Sequence, residues 1–140
     1  MRATGLPARV SLGFIAGAVS VLVFHQGAWA LLYFAKLMPP PYPVASLPPY
    51  GVPQIVDFCF WGGIWGAAYG CVAPRLSIPY WLSGLLLGLV AALAYWLVVL
   101  PLKGQPFAGG WVWQSMLIVL AIQLPWGFGT GVILSLFRIR

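Results

Sequence analysis

Residues 78–101 read IPYWLSGLLLGLVAALAYWLVVLP, and no Asp, Glu, Lys or Arg interrupts them. A helix needs about 20 mostly apolar residues to cross a hydrocarbon core of roughly 30 Å, so this stretch is long enough to span a bilayer. Three more stretches share its character: residues 10–37, 55–73 and 111–137. Barrel strands would alternate apolar and polar residues with period two. These runs are continuously apolar, and in lipid a helix satisfies its own backbone. The sequence therefore predicts an all-α integral membrane protein, a single domain of four transmembrane helices over residues 1–140.

Composition points the same way. The chain has 140 residues, of which 62% are hydrophobic and 6% charged. An ordinary soluble domain carries about 25% charged residues, and this chain could not coat a polar surface. Disorder is excluded by the high hydrophobicity. The loops are short, so no soluble module is expected. The net charge of +6 reads as topology and lipid-headgroup contact, with the bilayer as first partner and no nucleic-acid surface.

Basic residues in short loops set orientation. Arg2, Arg9, Arg75, Arg138 and Arg140 fall on one side; Lys36 and Lys103, with the acid Asp57, fall on the other. Both termini are expected in the cytoplasm. Arg2, Arg9 and Ala28-Trp29-Ala30 give the first span the outline of a signal peptide. Its apolar run continues through Leu31, Leu32, Tyr33 and Phe34, so an uncleaved helix is expected.

Glycines recur every four residues: Gly13 and Gly17, then Gly62, Gly66 and Gly70, then Gly84 and Gly88, then Gly127 and Gly131. Small residues at this spacing let helix backbones approach closely in lipid. Each helix is expected to carry a packing seam, and the second, with the longest, to sit centrally. The halves also resemble each other. Phe60-Trp61-Gly62-Gly63-Ile64-Trp65-Gly66 echoes Pro125-Trp126-Gly127-Phe128-Gly129, as in a duplicated hairpin.

Polar residues at depth are expensive and usually face the bundle interior. His25, Gln26 and Gln123 fall near mid-span, as do Trp65 and Trp126. Pro125 frees the carbonyl of Ala121. One intramembrane cluster of His25, Gln26, Trp65, Gln123 and Trp126, joining the first and fourth helices, could satisfy all of these. Asp57 suits the first turn of the second helix and is placed to meet Lys36. The outer loop, residues 38–54, is rich in proline and reads as a stiff strap, or as a docking surface.

Chemistry is scarce. Cys59 and Cys71 are twelve residues apart on one helix, about 18 Å, too far for a disulfide. No metal-ligand group, paired carboxylates or Cys-x-x-Cys is present, so neither enzyme, metal nor cofactor is expected. A lone His25, one turn from Trp29, leaves open a tetrapyrrole or quinone site.

Phe24-His25-Gln26, Gly51-Val52-Pro53 and the Phe60–Gly66 segment together resemble a family of small uncharacterised bacterial inner-membrane proteins. The resemblance implies a bacterial inner membrane and a multi-helix fold, and no activity. The leading expectation is a non-enzymatic accessory or structural subunit, binding other membrane subunits or itself. The alternative is a small homo-oligomeric channel or transporter lined by His25, Gln26, Gln123, Thr130, Ser20 and Ser83. A pigment- or quinone-binding subunit is the third.

Overall fold

The computed structural model describes residues 5–137. Four helices are long and apolar enough to cross a membrane, as a multi-pass membrane protein requires. We name them α1 (Leu6–Phe34), α2 (Gln54–Arg75), α3 (Tyr80–Leu102) and α4 (Trp113–Leu136). The expected spans shift by only a few residues. Proline marks three of the starts: Pro7 lies in the first turn of α1, while Pro53 and Pro79 precede α2 and α3. Its missing N–H costs nothing where the first turn has no acceptor to offer. Arg2, Arg138 and Arg140, expected on the cytoplasmic side, lie outside the described residues.

Two helices are locally widened. In α1 the turn Val21–His25 is π-helical, and in α3 so is Tyr95–Val99. Pro101 has no N–H to offer the carbonyl of Leu97, and the wide turn just before it relieves the clash.

The helices form two antiparallel hairpins, α1 with α2 and α3 with α4, and α1 packs against α4 between them. The central pair is therefore α1 and α4. The long seam of α2 does not place that helix centrally. Gly62, Gly66 and Gly70 all lie against the α1 backbone, with the Trp126 indole of α4 reaching Gly62 alone, so the seam binds one neighbour closely and leaves α2 at the flank. The flanks close on each other through side chains. The Tyr69 hydroxyl of α2 lies 2.7 Å from Ser83 Oγ of α3 and 3.0 Å from the Tyr80 carbonyl.

All nine seam glycines make the expected contacts, and the contacts repeat. A side chain at Gly13 would collide with the Gly66 carbonyl, and one at Gly84 with the Gly127 carbonyl. Gly17 meets the Gly62 carbonyl as Gly88 meets that of Gln123; Gly70 meets Arg9 as Gly131 meets Tyr80. In every case the α1 partner lies 71 residues before its α3 counterpart, and the α2 partner 61 before its α4 counterpart. Trp65 and Trp126 fall in the same register. The halves are thus a parallel structural repeat, related about an axis running along the bundle.

Two short strands, β1 (Ser46–Leu47) and β2 (Val52–Pro53), pair within the strap through a turn at Gly51. Its φ of +68° suits glycine. The second hairpin has a shorter connection, where Ala108, Gly109, Gly110 and Trp111 all have positive φ.

Candidate functional site

The polar residues of the bundle fall into two separate groups rather than one. The first binds α1 to α4 at mid-depth. Trp126 Nε1 donates to the Gly17 carbonyl at 3.1 Å, which only a side-chain-free seam leaves within reach. Ser20 Oγ and Thr130 Oγ1 both donate to the Trp126 carbonyl, at 2.6 and 2.8 Å. Trp126 also packs with Val21 and Ala91, and Trp65 of α2 lies against this cluster. Ser20 and Thr130 are wholly buried. The group satisfies itself: the Ser20 and Thr130 hydroxyls and the Trp126 indole all point at backbone carbonyls of the bundle.

The second group lies at the loop end of the first hairpin. Gln26 is wholly buried, and its amide is used at both ends. Nε2 meets His25 Nδ1 at 3.0 Å, and Oε1 accepts the Tyr42 N–H at 2.5 Å. An amide nitrogen is a donor, so His25 Nδ1 accepts and the ring's own proton sits on Nε2. His25 stands among aromatic rings, 5.4 Å from Phe58 and 6.1 Å from Trp29, centroid to centroid. The Tyr42 hydroxyl donates to the Leu22 carbonyl in the π-helical turn at 2.7 Å, and Trp29 Nε1 donates to the Pro39 carbonyl at 2.8 Å. The strap is therefore pinned to α1 at three points. Its far end is held by Ile55 N–H on the Pro43 carbonyl and Gln54 N–H on the Ala45 carbonyl.

This arrangement differs from the single cluster expected across α1 and α4. Those helices do meet through polar groups, but through Ser20, Gly17, Thr130 and Trp126. Gln123 makes no side-chain hydrogen bond among the described residues. Its backbone is engaged instead, since its carbonyl packs on Gly88 in the second seam. No side chain among the described residues reaches the Ala121 carbonyl; the hydroxyls converge one turn away, on Trp126. Lys36 and Asp57 form no ion pair among the described residues. Lys36 ends α1 in a left-handed turn (φ 62°) and is exposed, whereas Asp57 sits in the first turn of α2.

Sequence reasoning missed Tyr42 and Phe58. Tyr42 had a legible signal: from Pro39 to Pro43 it is the single residue with a backbone N–H. A buried acceptor near that stretch could be met there and nowhere else. Phe58 had none, because only packing brings it beside His25. No group of three or more His, Cys, Asp or Glu that could hold a metal occurs among the described residues. Comparison with protein families, with curated proteins and with solved structures finds no match for this chain.

Proposed function

We propose that this chain is a non-enzymatic membrane protein that works as an accessory or structural subunit of a larger assembly in a bacterial inner membrane, with both termini cytoplasmic. One observation supports the reading: the polar groups between α1 and α4 are spent inside the bundle while the exterior is apolar. At mid-depth Val21, Ala91 and Trp126 fill the space between the hairpins, and the nearby hydroxyls are spent on backbone carbonyls. A pore would need polar groups converging on one wet path. Outside, Phe60 and Trp61 of α2 are half exposed near mid-span, away from the interface where Trp is commonest. Such a surface serves lipid and neighbouring helices.

The test is extraction from the native membrane in mild detergent, followed by native mass measurement and proteomics. Co-migration with other membrane subunits in fixed stoichiometry is expected. A lone monomer, under conditions that preserve known complexes, overturns the reading. A homo-oligomer that passes solutes in liposomes would replace it with the channel reading.

A further inference from the structure

The contacts that tie Tyr42 of the strap to α1 form a chain with one direction. Four of the five residues from Pro39 to Pro43 are proline and have no N–H. The one N–H, on Tyr42, can only donate, so the Gln26 atom that faces it at 2.5 Å must be the carbonyl oxygen Oε1. That choice turns the other end of the amide, the Nε2 donor, to His25 Nδ1 at 3.0 Å. Nδ1 must then accept, and the neutral ring keeps its proton on Nε2. Gln26 is wholly buried, so a lost partner is not replaced by water.

The state of His25 decides whether this chain can exist. With Nε2 protonated, the lone pair on Nδ1 is the one place where the ring can take another proton. A proton from water that lands there makes the ring a cation and turns Nδ1 from acceptor to donor. Two donors then face each other, Nδ1 and Gln26 Nε2. Half a turn of the amide presents Oε1 to the imidazolium and removes the repulsion. The same half turn sets Nε2 against the Tyr42 N–H, and that bond is lost. A buried charge without an acceptor is costly, so a charged His25 and the Tyr42 N–H compete for one oxygen.

The surroundings offer His25 no other acceptor. α4 has no titratable residue from Trp113 to Leu136. On α1 the ring meets Trp29; Arg9 and Tyr33 are at least two turns away along the helix, and Lys36 lies beyond its end. α2 brings Phe58 against the ring, and its neighbours Asp57 and Cys59 make no ion pair or hydrogen bond with His25 among the described residues. The strap brings Tyr42, whose hydroxyl is given to Leu22.

We propose that His25 is a pH-sensitive latch on the strap: a proton on Nδ1 draws Gln26 Oε1 away from the Tyr42 N–H and frees the proline segment from α1 at that point. The latch is closed while His25 is neutral and opens as pH falls through its titration. It does not depend on the subunit reading. In the orientation proposed above, the strap faces away from the cytoplasm and answers to acid on that side.

The test uses the full chain in detergent micelles, labelled with ¹⁵N on histidine, tyrosine and glycine and followed by NMR from pH 8 to pH 3.5. The chain has one histidine, so its ring signals need no assignment variant; Tyr42→Phe identifies the Tyr42 amide. At pH 8 the ring is expected to carry its proton on Nε2 and none on Nδ1. As Nδ1 takes up a proton, the Tyr42 amide is expected to shift with the same midpoint. Its hydrogen exchange is expected to rise at least tenfold relative to Gly109, whose N–H is bonded to Pro106 in the other loop. Seam glycines such as Gly13 and Gly66 are expected to hold their positions. In Gln26→Leu, His25 is expected to titrate while the Tyr42 amide no longer follows. A proton on Nδ1 at pH 8, a ring that stays neutral to pH 3.5, or a Tyr42 amide indifferent to a titrating His25 overturns the latch. Loss of the seam glycine signals together with that of Tyr42 shows general unfolding and overturns it too. If Gln26→Leu fails to fold, the coincidence of the two midpoints in the native chain decides the matter alone.

Discussion

In the first hairpin Gly13 and Gly17 of α1 lie on the backbone of Gly66 and Gly62. In the second, Gly84 and Gly88 of α3 lie on that of Gly127 and Gln123. Packing along the spans is the same device used twice, down to the register of the contacts. The loop ends differ. Where α1 has Trp29, α3 has Leu100; where α2 starts with Gln54, α4 has Ser115. A proline strap joins one pair and a tight turn the other. The widened turn also falls about one helical turn further along in α3 than in α1. Close backbone contact tolerates no side chain, so the seams hold both halves to one geometry. Nothing in the seam restricts the loop ends, and there the first hairpin carries a buried polar network that the second lacks.

The largest effects are expected where the comparison is strictest. Gly66→Leu and Gly127→Leu each drive a side chain into the facing backbone, of Gly13 and Gly84 respectively. Overpacking costs about 1–3 kcal/mol where side chains can shift, and backbone yields less. Both variants should lose the folded monomer on size exclusion in detergent, to a similar extent. Tolerance of one and not the other would break the equivalence of the hairpins.

A smaller effect is expected at the contact between them. Trp126→Phe removes the donor to Gly17, and Ser20→Ala removes a donor to Trp126. Hydrogen bonds between membrane helices are worth about 0.6 kcal/mol on average. Ser20→Ala should lower the thermal midpoint by a few degrees, and Trp126→Phe by more, because it also loses packing against Val21 and Ala91. A midpoint unchanged in both would show that the seams alone hold the bundle.

Tyr42→Phe should act on the first loop end only. It removes the bond to Leu22 and keeps the N–H bond to Gln26. Hydrogen exchange is expected to rise several-fold at Gln54 and Ile55, whose N–H groups hold the strap's far end, and to stay unchanged in the second hairpin's turn. A rise in both would mean that the two loop ends are coupled.

The smallest effects separate glycine on a seam from glycine off it. An added methyl at Gly27 meets nothing within 4 Å, so Gly27→Ala should be neutral or stabilising by up to about 1 kcal/mol, through helix propensity. Gly109 also has open space, but its φ is +64°. Gly109→Ala should cost about 1 kcal/mol from backbone strain alone. Thermal melts of the two variants, read side by side, test whether space or backbone conformation governs each position.

Much of the fold was legible because its determinants are local. Lipid leaves each span to satisfy its own backbone, so uninterrupted apolar length marked four helices, while the first of them starts earlier than expected, with Pro7 in its first turn. Glycine spacing marked the seam faces, since residues four apart share one side of a helix. Spacing does not say which face meets which. The order α2–α1–α4–α3, the central place of α1 and α4 and the flank position of α2 came from how the faces paired in three dimensions. The polar contacts divided along the same line. Depth along a helix is only roughly readable from sequence: Gln26 and Gln123 were expected at one level, but α1 starts at Leu6, so Gln26 falls at the loop end while Gln123 lies deeper, against Gly88. Azimuth around the bundle is set by packing; it turned Gln26 toward the strap, left Gln123 in the second seam by its backbone, and gave the α1–α4 contact to Ser20, Thr130 and Trp126. A carbonyl acceptor such as that of Gly17 has no side-chain signature at all, and only close approach of the helices makes it a partner.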